Sequence, residues 1–214
     1  MAISLPNGAL VAIASGYAAA VNITALSNAS PAVATAANTL VVGDFVEVTS
    51  AWSRLTDKIT RVITPSAGAF SLEGIDTTLT TIYPALSGTG SFRRVTGWTQ
   101  LSQILSSSSS GGEQQFLEYQ FLEGDAQKRI PTVKSAAGVS FSVADDPLLA
   151  GYILASAAND DRLSRAVRIT LPSGAVILYN AFISLNKTPS LTVNEIMAVE
   201  VTLSLKAEPV RYAN

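Results

Sequence analysis

Cysteine and histidine are both missing from the 214 residues, and this double absence excludes more chemistry than any motif in the chain supplies. Without cysteine there is no disulfide framework and no thiolate nucleophile, and the redox compartment leaves no mark. Without histidine, the usual general base near neutral pH and the commonest metal ligand are lost together. Charge is scarce as well. Charged residues make up 14% of the chain and hydrophobic ones 48%, against about 25% charged in ordinary globular proteins. So little charge cannot cover an isolated monomer, which predicts that part of the surface is covered by partners. Sixteen acids and fourteen bases leave a net charge of -2, and Arg93-Arg94 and Lys128-Arg129 are the only adjacent basic pairs. No specific grip on nucleic acid through its phosphates is expected.

Long apolar runs are lacking too. Ala9 to Leu26 is rich in Ala, Val and Ile, but Ser15, Gly16, Tyr17, Asn22 and Thr24 interrupt it, well short of the ~18 apolar residues of a helical span. The first basic residue is Arg54, so no positive stretch precedes it. The segment reads as a buried strand and a turn, and neither an export signal nor a membrane contact is expected.

What the chain does contain is period-two alternation. From Arg165 to Leu205 it spells three strands: a hairpin closed at Pro172-Ser173-Gly174, then a return strand after Thr188-Pro189. In the return strand Met197, Val199, Val201, Leu203 and Leu205 share one face, and Ala198, Glu200, Thr202, Ser204 and Lys206 the other. Between residues 22 and 94, short strands at Phe45-Thr49, Lys58-Ile63 and Phe70-Ile75 alternate with turns, which predicts a small β-barrel module. Its acids, Asp44, Glu47, Asp57, Glu73 and Asp76, are balanced by Arg54, Lys58, Arg61, Arg93 and Arg94. From Val95 the texture changes. Ser106 to Ser110 and Gly111-Gly112 offer no core-forming side chains, so residues 101–115 are expected to be a mobile loop. Strands follow at Glu113-Leu122 and around Val139, Phe141 and Val143. A helix is expected from Asp145-Asp146-Pro147 to about Asn159, packed through Leu148, Leu149, Tyr152, Ile153, Ala155 and Ser156. The fold class is therefore mainly β, a sandwich or barrel with one packed α-helix and an inserted small β-barrel module.

No constellation for catalysis emerges. Ser184-Leu185-Asn186-Lys187 has a Ser-x-x-Lys spacing, but the serine ends a strand and its companion motifs are missing. Gly88-Thr89-Gly90 lacks a third glycine and a strand-to-helix setting. Acidic residues do not gather at Ca²⁺-loop spacing. Trp52 and Trp98 suit core anchors. No catalytic residue, metal or cofactor is expected.

Several segments together resemble the tail-tube (major tail) proteins of long-tailed, siphovirus-like bacteriophages. They are Gly111-Gly112-Glu113-Gln114-Gln115-Phe116, Ala144-Asp145-Asp146-Pro147, Arg168-Ile169-Thr170-Leu171-Pro172-Ser173-Gly174 and Leu205-Lys206-Ala207-Glu208-Pro209-Val210-Arg211-Tyr212. The resemblance is carried by element order and turn positions over roughly Val95 to Asn214. Asn22 to Arg94 is similar to a small β module that phage structural proteins often carry. The resemblance implies a discontinuous tube domain: 1–21 as its first strand, 22–94 as the insert, and 95–214 as the remainder. It implies a non-enzymatic virion protein, assembled in the host cytoplasm, whose copies form hexameric rings that stack into a conduit for DNA ejection. Its partners would be itself, a tape-measure protein, and tail-tip and terminator proteins, with DNA passing unbound. For such a channel Glu118 and Gln120, or equally Glu200, Thr202 and Ser204, are the candidate wall residues. Ser106, Ser108, Ser110, Gly111 and Gly112 are the candidate contacts to a neighbouring ring. The alternatives are another tail component, a terminator or decoration protein, and a non-viral β-rich binding or adhesion module.

Overall fold

The computed structural model describes residues 7–213; residues 1–6 of the expected first strand and residue 214 lie outside them. Alternating sequence becomes strand almost throughout. The first half supplies β1 (Leu10–Tyr17), β2 (Val21–Ile23), β3 (Ala25–Leu26), β4 (Ala32–Thr35), β5 (Phe45–Ser50), β6 (Lys58–Ser66), β7 (Ala69–Leu72) and β8 (Gly90–Leu101). The second supplies β9 (Ile104–Ser110), β10 (Gln114–Tyr119), β11 (Lys128–Lys134), β12 (Gly138–Ala144), helix α1 (Ala150–Asp161), β13 (Arg165–Thr170), β14 (Val176–Asn186), β15 (Ala198–Leu205) and β16 (Val210–Tyr212). The fold is mainly β, a large curled antiparallel sheet forming a half-barrel, with one helix among the described residues. Its order is β3-β4-β7-β6-β5-β8-β1-β13-β14-β15-β12-β9, with β16 beside β14 and β2 beside β8. β10 and β11 form a separate two-stranded hairpin.

Strand β8 links two cores. Its first half pairs with β2 and β5, its second with β1. Before the crossover, Val46, Val48, Val62, Phe70, Leu72 and Phe92 pack with Trp52 and Leu55. Trp52 is an anchor: its Nε1 donates to the Pro84 carbonyl and the Ser87 hydroxyl, both at 3.0 Å. After the crossover, Val11, Ile13, Phe141, Val143, Val167, Ile183, Val199, Val201 and Leu203 form a second core under α1. The β15 register is the expected one for Val199, Val201 and Leu203, all buried. Met197 departs from it, lying ahead of the strand and 49% exposed.

Two elements differ from the sequence reading. The helix starts at Ala150, not at Asp145. Asp146 Oδ1 accepts instead from the Leu148 N–H at 3.1 Å, a side-chain turn that uses the same capping chemistry ahead of the helix. Its buried face is Gly151, Ala155 and Ala158, while Leu148 and Ile153 are exposed. Small residues are needed there because a Cβ on Gly151 would stand 2.4 Å from the Gln100 carbonyl oxygen. The expected loop at 101–115 is also corrected, since Ser106 to Ser110 belong to β9 and pair with β12. Only Ile104, at the start of β9, packs against a core; backbone hydrogen bonds order the serines that follow.

A polar joint ties the cores together. Glu47, 4% exposed, takes a hydrogen bond from Arg93 Nε at 2.6 Å and one from Asn180 Nδ2 at 3.0 Å. Asn180 Nδ2 also donates to the Asp57 carbonyl at 2.8 Å, and Lys206 pairs with the Asp57 carboxylate at 2.8 Å. Of the expected charge balance, Arg61–Glu73, Arg93–Glu47 and Arg94–Asp44 form within the first half, whereas Asp57 turns to the second.

Tyr212 completes the joint. Its hydroxyl accepts from the Arg61 N–H at 2.8 Å and donates to the Glu73 carbonyl at 3.1 Å. Burial pushes its phenol up to about 12 from 10.0. The folded chain holds that proton more tightly than the unfolded chain, so the contribution is complete below pH 10 and fades as pH rises from 10 toward 12. Unfolding free energy from urea melts should fall through this window by on the order of 2 kcal/mol from this group. Tyr17 and Tyr179 are raised in the same direction, also by burial. Tyr212→Phe is therefore expected to make the alkaline fall shallower without abolishing it; an unchanged slope would contradict this assignment.

Candidate assembly surfaces and channel face

On the side away from the second core, β1, β13 and the start of β14 pack against the first half, whereas the rest of β14 with β15, β12 and β9 lies open. Register alone builds the open face. Directly opposed residues share a side of the sheet, so Asn186, Glu200, Ser142 and Ser106 make one row across β14, β15, β12 and β9. Ser184, Thr202, Ser140 and Ser108 make the next, followed by Phe182, Ser204, Gly138 and Ser110. The rows contain hydroxyls, an amide, one carboxylate and one aromatic ring, and no Lys or Arg. Ser140 and Thr202 bond to each other at 3.2 Å, which ties two of the strands together through their side chains.

Strand β9 ends the sheet, and it is short, flat in chemistry and exposed from Leu105 to Ser110. Its outer N–H and C=O groups are the unpaired row that an edge strand presents to another chain. Gly111 and Gly112 follow at φ +72° and +78° and swing the chain into β10. At Gly111 a Cβ would sit 1.9 Å from the Ala136 carbonyl oxygen, so no other residue fits this exit.

The β10–β11 hairpin stands apart from both cores. Phe116, Leu117, Phe121, Leu122, Ile130 and Val133 are each at least 47% exposed, a concentration of apolar surface that an isolated monomer would not carry without a partner. Glu118 pairs with Arg129 on this hairpin, and Gln120 Nε2 donates to the Gly124 carbonyl at 2.7 Å. The expected wall residues thus divide. Glu200 and Thr202 lie on the open sheet face together with Ser106, Ser108 and Ser110, whereas Glu118 and Gln120 lie on the hairpin and its tip. Ser204, also an expected wall residue, lies on this open face too, and Ser140, Ser142, Ser184 and Asn186 join it without having been expected there. Their signal was present as hydroxyl and amide side chains at alternate positions of strands whose other face is apolar.

Ser184 and Lys187 do not come together as nucleophile and base, since Lys187 pairs with Asp160 at 3.3 Å. Among the described residues no group of acids could hold a metal, and no helix is long and apolar enough to cross a membrane.

Residues 50–214 match the family described as phage tail tube protein. None of the curated proteins matches the chain in sequence. Among solved structures, the sheath/tube terminator of an extracellular contractile injection system is 18% identical, with 50% of this chain and 84% of that chain covered at a TM-score of 0.38. The tube-terminating cap of the anti-feeding prophage is 20% identical, with 54% and 83% covered at a TM-score of 0.38.

Proposed function

The chain belongs to the phage tail tube protein family, and we propose that its copies close into rings, hexameric by the resemblance, that stack as the tail tube. A tail structural role follows from the family; ring closure, stacking and DNA passage are the proposal. The observation that carries it is the three open rows across β14, β15, β12 and β9, hydroxyl-lined and without Lys or Arg, beside an unpaired edge strand; Lys206, next on that side past the end of β15, is paired with Asp57.

DNA moves through a channel without sticking when the wall offers no cations to replace the counterions of its phosphates. Hydroxyls hydrogen-bond to water and leave the phosphates hydrated. Edge pairing at β9 satisfies its backbone groups between copies, and rotation closes the ring. Residues 1–21 and 95–214 are the tube domain in this reading, with 22–94 an insert on the outside. Assembly takes place in the host cytoplasm, and the tape-measure, tip and terminator proteins are the remaining partners.

Negative-stain images of concentrated, purified protein test the reading. Hollow tubes are expected. Isolated rings that never stack would favour a terminator, and monomers at every concentration would refute self-assembly.

A further inference from the structure

Two adjoining depressions lie at the root of the β10–β11 hairpin and share Lys134, Lys206, Ala207 and Glu208. The first, about 620 Å³, has Val139, Tyr179, Leu205 and Pro209 in its wall. The second, about 520 Å³, collects Arg54, Lys58, Lys134, Lys206, Asp57 and Glu208. Lys206 pairs with Asp57 and Lys134 with Glu208, while Arg54 and Lys58 make no salt bridge among the described residues. The cleft therefore carries two surplus positive charges beside an apolar floor. Burial holds the Lys58 ammonium below its ordinary value and, against the pull of Glu208, Arg54 and Lys134 add to that, as expected of cations crowded together without enough anions.

The hairpin tip has the opposite character. Leu122 is fully exposed and Phe121 54% exposed. Glu123 and Asp125, next along the chain, are exposed and make no salt bridge among the described residues, and Lys128 over the Phe121 ring offsets one of the two charges. Apolar residues followed by a surplus negative charge match an apolar floor followed by surplus cations. The tip cannot serve its own root. At about 3.3 Å per residue it stands roughly 25 Å away while β10 stays paired with β11.

We propose that the hairpin tip of one copy seats in the root cleft of a second copy, Leu122 toward the apolar wall, Glu123 and Asp125 against Arg54 and Lys58. The contact rests on the tube reading and gives it a mechanism. Tip and cleft are different surfaces, so the contact is head-to-tail and passes from copy to copy. Opposite charges steer the encounter and select the register.

Charge reversal tests it on the full chain. Glu123→Lys with Asp125→Lys, or Arg54→Glu with Lys58→Glu, should each lower the sedimentable fraction at least tenfold, and mixing the two variants should restore most of it through complementary contacts. Either variant assembling as the parent does, or a mixture no better than its components, would overturn the proposal. A second readout does not depend on how well the reversed cleft folds. In this cysteine-free chain, Asp125→Cys and Arg54→Cys are made separately and mixed under oxidising conditions. A cross-linked dimer of the two variants is expected. Tubes without that cross-link would overturn the docking contact and leave the tube reading standing, whereas a parent chain that never assembles would remove both.

Discussion

Replacing Ser108 and Ser184 with arginine is expected to leave tubes intact and to stop DNA moving through them. Both side chains are exposed on the open face and bear no load in a core, so folding should change by less than about 0.5 kcal/mol. The effect lies in the channel. Each ring would then present a circle of cations, and DNA contacting even six to ten of them binds with an affinity that drops about 10³–10⁵-fold between 50 and 200 mM salt. Particles built from the double variant should appear in normal number and lose infectivity at least about a hundredfold, with DNA arrested in the tail. Ser108→Asp with Ser184→Asp is the control and should remain infectious. Equal infectivity of the arginine and aspartate variants would place this face away from the DNA path.

The second large effect is expected at Glu47. Its carboxylate is nearly buried and holds both Arg93 and Asn180. Glu47→Ala would leave a part-buried guanidinium without its carboxylate and the buried Asn180 amide with the Asp57 carbonyl as its remaining acceptor, which costs about 3 kcal/mol when a buried pair loses one member. Glu47→Gln keeps an oxygen for one of the two donors and should lose about half as much. Urea melts measure both. A loss below about 1 kcal/mol for Glu47→Ala would mean that the pair behaves as an exposed one and that the joint rests on apolar contact alone. Arg93 also lies 4.1 Å over the Tyr17 ring, whose hydroxyl accepts from the Ala166 N–H at 2.6 Å, so the loss should be felt in both halves.

Period-two alternation made β13, β14 and most of β15 legible, because an inner face of Val, Ile and Leu beside an outer face of Ser, Thr and Glu has few other solutions. The turn between the first two was legible for a backbone reason: Gly174 sits at φ +84° and closes back on the Leu171 carbonyl at 2.9 Å. β9 was not legible. Serine has no apolar period to reveal, and what orders Ser106 to Ser110 is a ladder of backbone bonds to a strand some thirty residues away. β11 was hidden similarly. Lys128 to Lys134 is exposed along its whole length and contains Pro131, which argues against a strand unless the missing N–H faces away from a ladder. The helix was found but displaced, because Asp145-Asp146-Pro147 carries a capping signal that the chain spends one turn early. Its true buried face, Gly151, Ala155 and Ala158, lies at i, i+4 and i+7 and is small because the sheet comes so close.

The candidate channel face shows where sequence stops. Alternation in each strand separates polar from apolar sides, and Glu200 and Thr202 follow from it. Which strands stand side by side is decided by pairing over long separations, and only that pairing aligns Ser184, Thr202, Ser140 and Ser108 in one row. Glu118 and Gln120 obey the same alternation in a hairpin that belongs to neither core.

A cryo-electron microscopy map of the assembled protein addresses the whole question at once. Rings closed through β9 should appear, with Ser108, Ser140, Ser184 and Thr202 lining the lumen. A map with those side chains on the outer wall, or with β9 unpaired between neighbouring copies, would contradict both the channel and the way it is closed.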